Sequence, residues 1–147
     1  MFKRIVVGVD GSPTALEALK ASVELARCFE AELHIVGVAR LPIRSLAADA
    51  LAVGAAPFPT DDDDSARSDI ESAVAEAREL AEGINVETHA LAGDASESLI
   101  QLAEVLGADL IVVGNKGMTG AGRFLLGSVP NRVSHHAPCS ILIVKTS

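Results

Sequence analysis

The feature that most restricts how this chain can fold is an alternation. Five short runs rich in Val, Ile and Leu are separated by segments whose apolar residues recur at helical spacing. Ile5 to Val9, Leu33 to Ala39, Val86 to Leu91, Leu110 to Val113 and Ile141 to Val144 read as strands. Between them, Leu16, Leu19, Val23 and Ala26 mark one helical face, and Ile70, Ala73, Val74, Ala77, Leu80 and Ala81 a second. Leu99, Leu102, Ala103 and Leu106 mark a third, and a fourth helix is expected over about Ser128 to His136. Strands that alternate with helices form a parallel sheet covered on both faces, because right-handed crossovers return each helix across the sheet. The chain is therefore expected to be an α/β protein. Leu110 to Val113 is apolar throughout, which predicts a place at the sheet centre.

Local punctuation supports these elements. Ser12 followed by Pro13 suits a helix start, since serine caps the free amides and proline loses no donor at the first helical position. Asp94 and Glu97 have capping-box spacing, and Gly107 stands where a left-handed residue should end the third helix. From Leu41 to Asp64 the periodicity dissolves among Pro42, Gly54, Pro57 and Pro59, with a short helix conceivable over 46–53. The four aspartates at 61–64 are expected just before the second helix, favouring its positive end.

With 147 residues, one domain over 1–147 is expected, with 41–64 as its variable connection. A net charge of −8 and the absence of Trp and Tyr argue against a nucleic acid partner, which needs a basic face and stacking rings. No apolar stretch is long enough for a signal peptide core or a membrane span. Cys28 and Cys139 lack metal-ligand spacing and read as small thiols, buried or half-buried, in a reducing compartment. A cytoplasmic protein that does not enter a membrane is the expectation.

Ligands of such sheets bind beyond the carboxyl ends of the strands, where the strand order reverses. Two loops qualify. Asp10, Gly11 and Ser12 follow the first strand. After the fourth, Gly114, Gly117, Gly120, Gly122 and Gly127 fall within a few turns' length and lead into Ser128 at a helix start. Glycines let backbone amides approach a phosphate, and the helix terminus favours an anion. Lys116 and Arg123 are the cations in reach. Neither a GxxxxGK[ST] loop nor a GxGxxG after the first strand is present, which excludes the P-loop and dinucleotide-binding patterns. If Ser128 caps the last helix, its hydroxyl can reach the amide of Asn131, because Pro130 has none. Asp10 would repel a phosphate; it suits a ribose hydroxyl, an adenine amino group or a bound Mg²⁺, or serves simply as a turn aspartate.

The run Gly114-Asn115-Lys116-Gly117, nine further residues, then Gly127-Ser128 matches the pattern G-x2-G-x9-G-[ST]. In this the sequence resembles the universal stress protein family, as do Ile5 to Ser12, Gly107 to Gly114 and Pro138 to Val144. The resemblance implies a five-stranded parallel sheet of order 3-2-1-4-5 in a three-layer, doubly wound, Rossmann-like arrangement of the adenine nucleotide alpha hydrolase-like type. It implies ATP as ligand, or AMP or cyclic AMP, with Mg²⁺ a candidate companion near Asp10. Asp10 would contact the adenosine part and Val38 would meet adenine through its backbone. Gly114, Gly117, Gly127, Ser128 and Val129 would contact ribose and phosphates. With their neighbours Gly11, Ser12, Val113 and Asn115, and the cations Lys116 and Arg123, they make up the candidate site. The family commonly forms homodimers by pairing last strands. Lys116 stands where Arg or His is frequent, and Pro130-Asn131 replaces small residues.

The function expected is nucleotide binding in a regulatory, stress-response role, with slow ATP hydrolysis and cyclic AMP binding as alternatives. No catalytic residue is assigned. Adjacent His135 and His136 diverge on a helix, and His34, in a strand, reads as a packed or rim histidine.

Overall fold

The computed structural model describes residues 1–40, 61–116 and 126–146. The conceivable helix at 46–53, and Gly117 and Arg123 of the candidate site, lie outside them. Five strands, β1 (Arg4–Val9), β2 (Glu32–Ala39), β3 (Val86–Ala92), β4 (Leu110–Gly114) and β5 (Ser140–Val144), form one sheet of order β3-β2-β1-β4-β5. Every pairing is parallel. The helices are α1 (Pro13–Phe29), α2 (Asp61–Leu80), α3 (Ala95–Leu106) and α4 (Ser128–His136).

Alternation along each strand divides its side chains between two cores. Ile5, Val7, Leu33, Ile35, Leu110 and Val112 face one way, against Ala18, Leu19, Val23 and Ala26 of α1 and Val74, Ala77 and Ala81 of α2. Val6, Val36, Val38, Ile111 and Val113 face the other way, against Leu99 and Ala103 of α3 and Val133 of α4. The sheet is thus the middle of three layers, as the sequence pattern demanded.

The expected caps form. Ser12 accepts the amide of Ala15 at 3.2 Å, and Asp94 that of Glu97 at 2.9 Å, while Gly107 closes α3 at φ 61°. Three expectations are corrected. β4 is fully buried, yet β1 occupies the sheet centre, because β2 and β4 leave it on opposite sides. The aspartate run does not precede α2 but begins it, placing acids where the helix dipole favours them. Cys28 is exposed on the outer side of α1, while Cys139 is partly buried, where burial chiefly holds its thiol above the usual range. Among the described residues no helix is long and apolar enough to cross a membrane.

At the amino ends of the strands, Asp109 joins β1 to β4. Its Oδ2 accepts the amides of Lys3 at 2.7 Å and Arg4 at 2.9 Å, and its own amide donates to the Arg4 carbonyl. The Arg4 amide, then that of Lys3, holds the carboxyl below the ordinary carboxylate range. A depressed folded pKa gives stability that is present above the unfolded pKa and lost as pH falls through the folded one. Asp109→Asn should therefore cost about 1 kcal/mol in urea unfolding at neutral pH, a charge-assisted bond discounted for solvent screening. The difference from wild type should vanish below the carboxylate range; a pH-independent difference would refute this account.

Candidate functional site

The carboxyl ends of the strands enclose a cavity of about 720 Å³. It lies where the crossovers part: β1 leads into α1 on one face of the sheet, and β4 leads toward α4 on the other. This is the reversal point at which sheets of this kind bind ligands.

Chain geometry shapes the β1 side. Asp10 Oδ1 accepts the Ser12 amide at 2.9 Å, so the carboxylate braces its own turn. Gly11, at φ 79°, makes the bend in a region L side chains avoid. Asp10 and Gly11 line the cavity; Ser12 is buried behind it, with its hydroxyl engaged in the α1 cap.

The β4 side depends on one close approach. A Cβ at Gly114 would stand 2.8 Å from the carbonyl oxygen of Thr14. The missing side chain lets the end of β4 lie against the first turn of α1, where the Thr14 hydroxyl donates to the Lys116 carbonyl. Asn115 supports this turn from behind. Its amide donates to the Val144 carbonyl, its carbonyl accepts the Gly127 amide, and its Oδ1 accepts the Thr146 amide and hydroxyl. Asn115 thereby ties the ends of β4, β5 and the entrance to α4, and is not on the cavity wall.

At α4, Gly127 is the N-cap and makes no side-chain cap bond, which overturns the expected capping by Ser128. Ser128 is the first helical residue, one place too late to cap. Its hydroxyl is left to the cavity, which Gly127, Ser128, Val129 and Pro130 all line. The opening amides of a helix have no partner inside it. Pro130 contributes none, so those of Ser128 and Val129 are the donors offered to an anion.

Val38, Val113, Gly114 and Lys116 also line the cavity. Other wall residues carried no motif. Arg40 adds a second cation at the end of β2; Asp69, Ile70 and Ala73 of α2 close one side, and Ala95 and Leu99 of α3 another. Arg40 was open to detection as the residue just past a strand's carboxyl end. The α2 residues were hidden because only folding carries that helix across β2. Near Arg40, the Ser96 hydroxyl and then the Glu97 amide hold Asp94 below the ordinary carboxylate range.

The model of the universal stress protein family matches residues 1–145. The chain belongs to that family. Among curated relatives, universal stress protein MJ0531 of Methanocaldococcus jannaschii is 34% identical over 99% of this chain and 83% of its own length. Universal stress protein YxiE of Bacillus subtilis is 32% identical over 99% and 100%. Among solved structures, a universal stress protein in complex with cAMP superposes with TM-score 0.72 at 29% identity, covering 99% of this chain and 98% of its own. The hypothetical protein MJ0577 gives TM-score 0.75 at 26% identity, covering 100% of this chain and 98% of its own. A universal stress protein from Archaeoglobus fulgidus in complex with dAMP gives 0.63 at 25%, covering 98% of each chain. The sheet order 3-2-1-4-5 implied by the family resemblance is the one observed.

The Gly114 contact is with main chain, which cannot swing away. Gly114→Ala should therefore lower unfolding free energy by about 1–3 kcal/mol. Gly127→Ala, whose new Cβ would meet its nearest atoms at 3.4 Å, should cost clearly less. Parallel urea titrations check the ranking, and equal costs would show that the β4–α1 seam is not the tight one.

Proposed function

We propose that this universal stress protein binds an adenine nucleotide, ATP in the first instance, and serves a regulatory role through nucleotide-dependent partner interaction in the cytoplasm. The observation that carries the reading is the cavity at the sheet's reversal point, whose wall combines apolar side chains with main-chain and side-chain donors. Its volume is in the range of small-ligand pockets. Val38, Ile70, Leu99 and Val113 offer an apolar bed for a base, with the main chain of Val38 at its edge. The opening amides of α4, the Ser128 hydroxyl and Lys116 offer the anion seat. Asp10 faces the adenosine part, and Mg²⁺ would enter with the phosphates near Asp10. Gly117 and Arg123, which lie outside the described residues, are assigned to the same phosphate loop from the sequence pattern alone. Although the chain is strongly acidic overall, Lys116 and Arg40 balance Asp10 and Asp69 at the wall, so local donors offset the unfavourable field.

Cyclic AMP is the second reading, favoured by the cAMP complex of the solved relative. Isothermal titration with ATP, AMP and cyclic AMP separates the two, and absence of heat with all three overturns the proposal. Ser128→Glu places a carboxylate in the anion seat and should weaken ATP at least about tenfold. Its thermal stability should hold or rise, because α4 has no acid in its first turn. Lys116→Ala should weaken ATP more than cyclic AMP, since the longer phosphate chain extends further along the cation.

The same reading assigns a homodimer through β5. That strand is a sheet edge whose Ile141, Leu142, Ile143 and Val144 are only partly buried within one chain. An apolar edge with unpaired main-chain groups is a liability unless covered. Sedimentation velocity should show a dimer that Ile143→Lys converts to monomer; a monomeric wild type removes this part of the proposal.

A further inference from the structure

At the other edge of the sheet the chemistry is different. β2 and β3 run parallel with His34 opposite Glu87 and Val36 opposite His89. Residues two apart on a strand share a face, so Glu32, His34, Glu87 and His89 all stand on one side of the β2–β3 ladder. His34 is 2% exposed. Its Nδ1 lies 3.2 Å from His89 Nε2 and 3.6 Å from Glu87 Oε2. Its Nε2 has no hydrogen-bond partner, and the Glu32 carboxylate oxygen Oε2 lies 3.6 Å from it.

We propose that His34 Nδ1, His89 Nε2 and Glu87 Oε2 form a binding site for a borderline divalent transition cation of the Zn²⁺ type. All three ligand atoms lie within 4.8 Å of one another. Zinc–nitrogen bonds of 2.0–2.1 Å at a tetrahedral angle separate two ligand atoms by about 3.3 Å. The observed 3.2 and 3.6 Å bracket that edge length. The donor set, two imidazoles and a carboxylate without thiolate, suits Zn²⁺, Co²⁺ or Ni²⁺ over Ca²⁺ or Mg²⁺, which take oxygen ligands.

The buried imidazole supplies a second argument. When Nδ1 ligates a metal, the ring proton must sit on Nε2, and metal-bound histidines as a rule donate that proton to a carboxylate or carbonyl. Glu32 Oε2 stands on that side, within a small side-chain adjustment of a hydrogen bond. The orphaned nitrogen, costly in a buried ring, thus gains a role: Glu32 orients the ligand. Glu87 is exposed and His89 half-buried, so the fourth position opens to solvent and a water can fill it. A cation here would clamp the edge strand β3 to β2. His34 precedes Val36, the first cavity-lining residue of β2, by two strand residues, about 7 Å, so the site lies close to the inner end of the nucleotide cavity, but none of its three ligands is on the cavity wall.

The test is titration of metal-stripped full-length protein with Zn²⁺, followed by Co²⁺ absorption. Wild type should take up stoichiometric Zn²⁺, gain thermal stability with it, and show the intense visible bands of tetrahedral Co²⁺. Glu87→Gln, at an exposed position that does not threaten folding, should lose both the stabilisation and the bands, and His89→Ala should abolish uptake. Glu32→Gln should weaken Zn²⁺ about 10–100-fold while leaving the Co²⁺ geometry. A double His135→Ala, His136→Ala variant should bind as wild type does. Absence of uptake by wild type would leave an ordinary imidazole–imidazole hydrogen bond and overturn the proposal. Uptake that survives both Glu87→Gln and His89→Ala would do the same. Nucleotide calorimetry of Glu87→Gln should match wild type, so this proposal and the nucleotide reading stand or fall separately.

Discussion

The architecture of the site depends on one contact between main chains. β1 and β4 are neighbours, yet their crossovers depart toward opposite faces of the sheet, and the gap between them must be both open and held. Gly114 against Thr14 holds it. The contact brings the first turn of α1 to the end of β4, and the Thr14 hydroxyl and Asn115 side chain fasten the turn that follows. Asn115 passes the constraint on to α4 by accepting the Gly127 amide. The amino end of α4 therefore keeps its place relative to β1 through short polar links and not through a large apolar interface.

That placement solves an electrostatic problem. A chain of net charge −8 disfavours anions at long range. Screening shortens the reach of this field to about 10 Å at moderate salt, whereas helix-end amides act in direct contact. Local donors can then outweigh the total charge. Two lysine and arginine side chains on the wall help, and the turn role of Asp10 directs one of its oxygens toward its own backbone.

The two edges of the sheet are managed in contrasting ways. β5 is apolar along its length and only partly covered, which suits pairing with another copy. β3 alternates: Val86 and Thr88 turn toward the α2 side, while Glu87 and His89 turn outward beside the buried His34. A polar, charged edge resists unwanted strand pairing, and here the same residues bring ligating atoms together.

Much of the fold was legible in the chain because its causes are local. Strand runs, helical faces, the Ser12 and Asp94 caps and the Gly107 stop each follow from the conformational preferences of a few consecutive residues. The glycine-spaced loop marked one side of the cavity for the same reason. Tertiary structure alone decided what depends on packing between distant segments. It put β1 and not β4 at the centre, brought Arg40, Asp69 and Ile70 to the cavity, made Gly127 the cap of α4, and set His34 beside Glu87 and His89. Residues 34 and 89 are 55 positions apart, and only the register of two strands makes them neighbours.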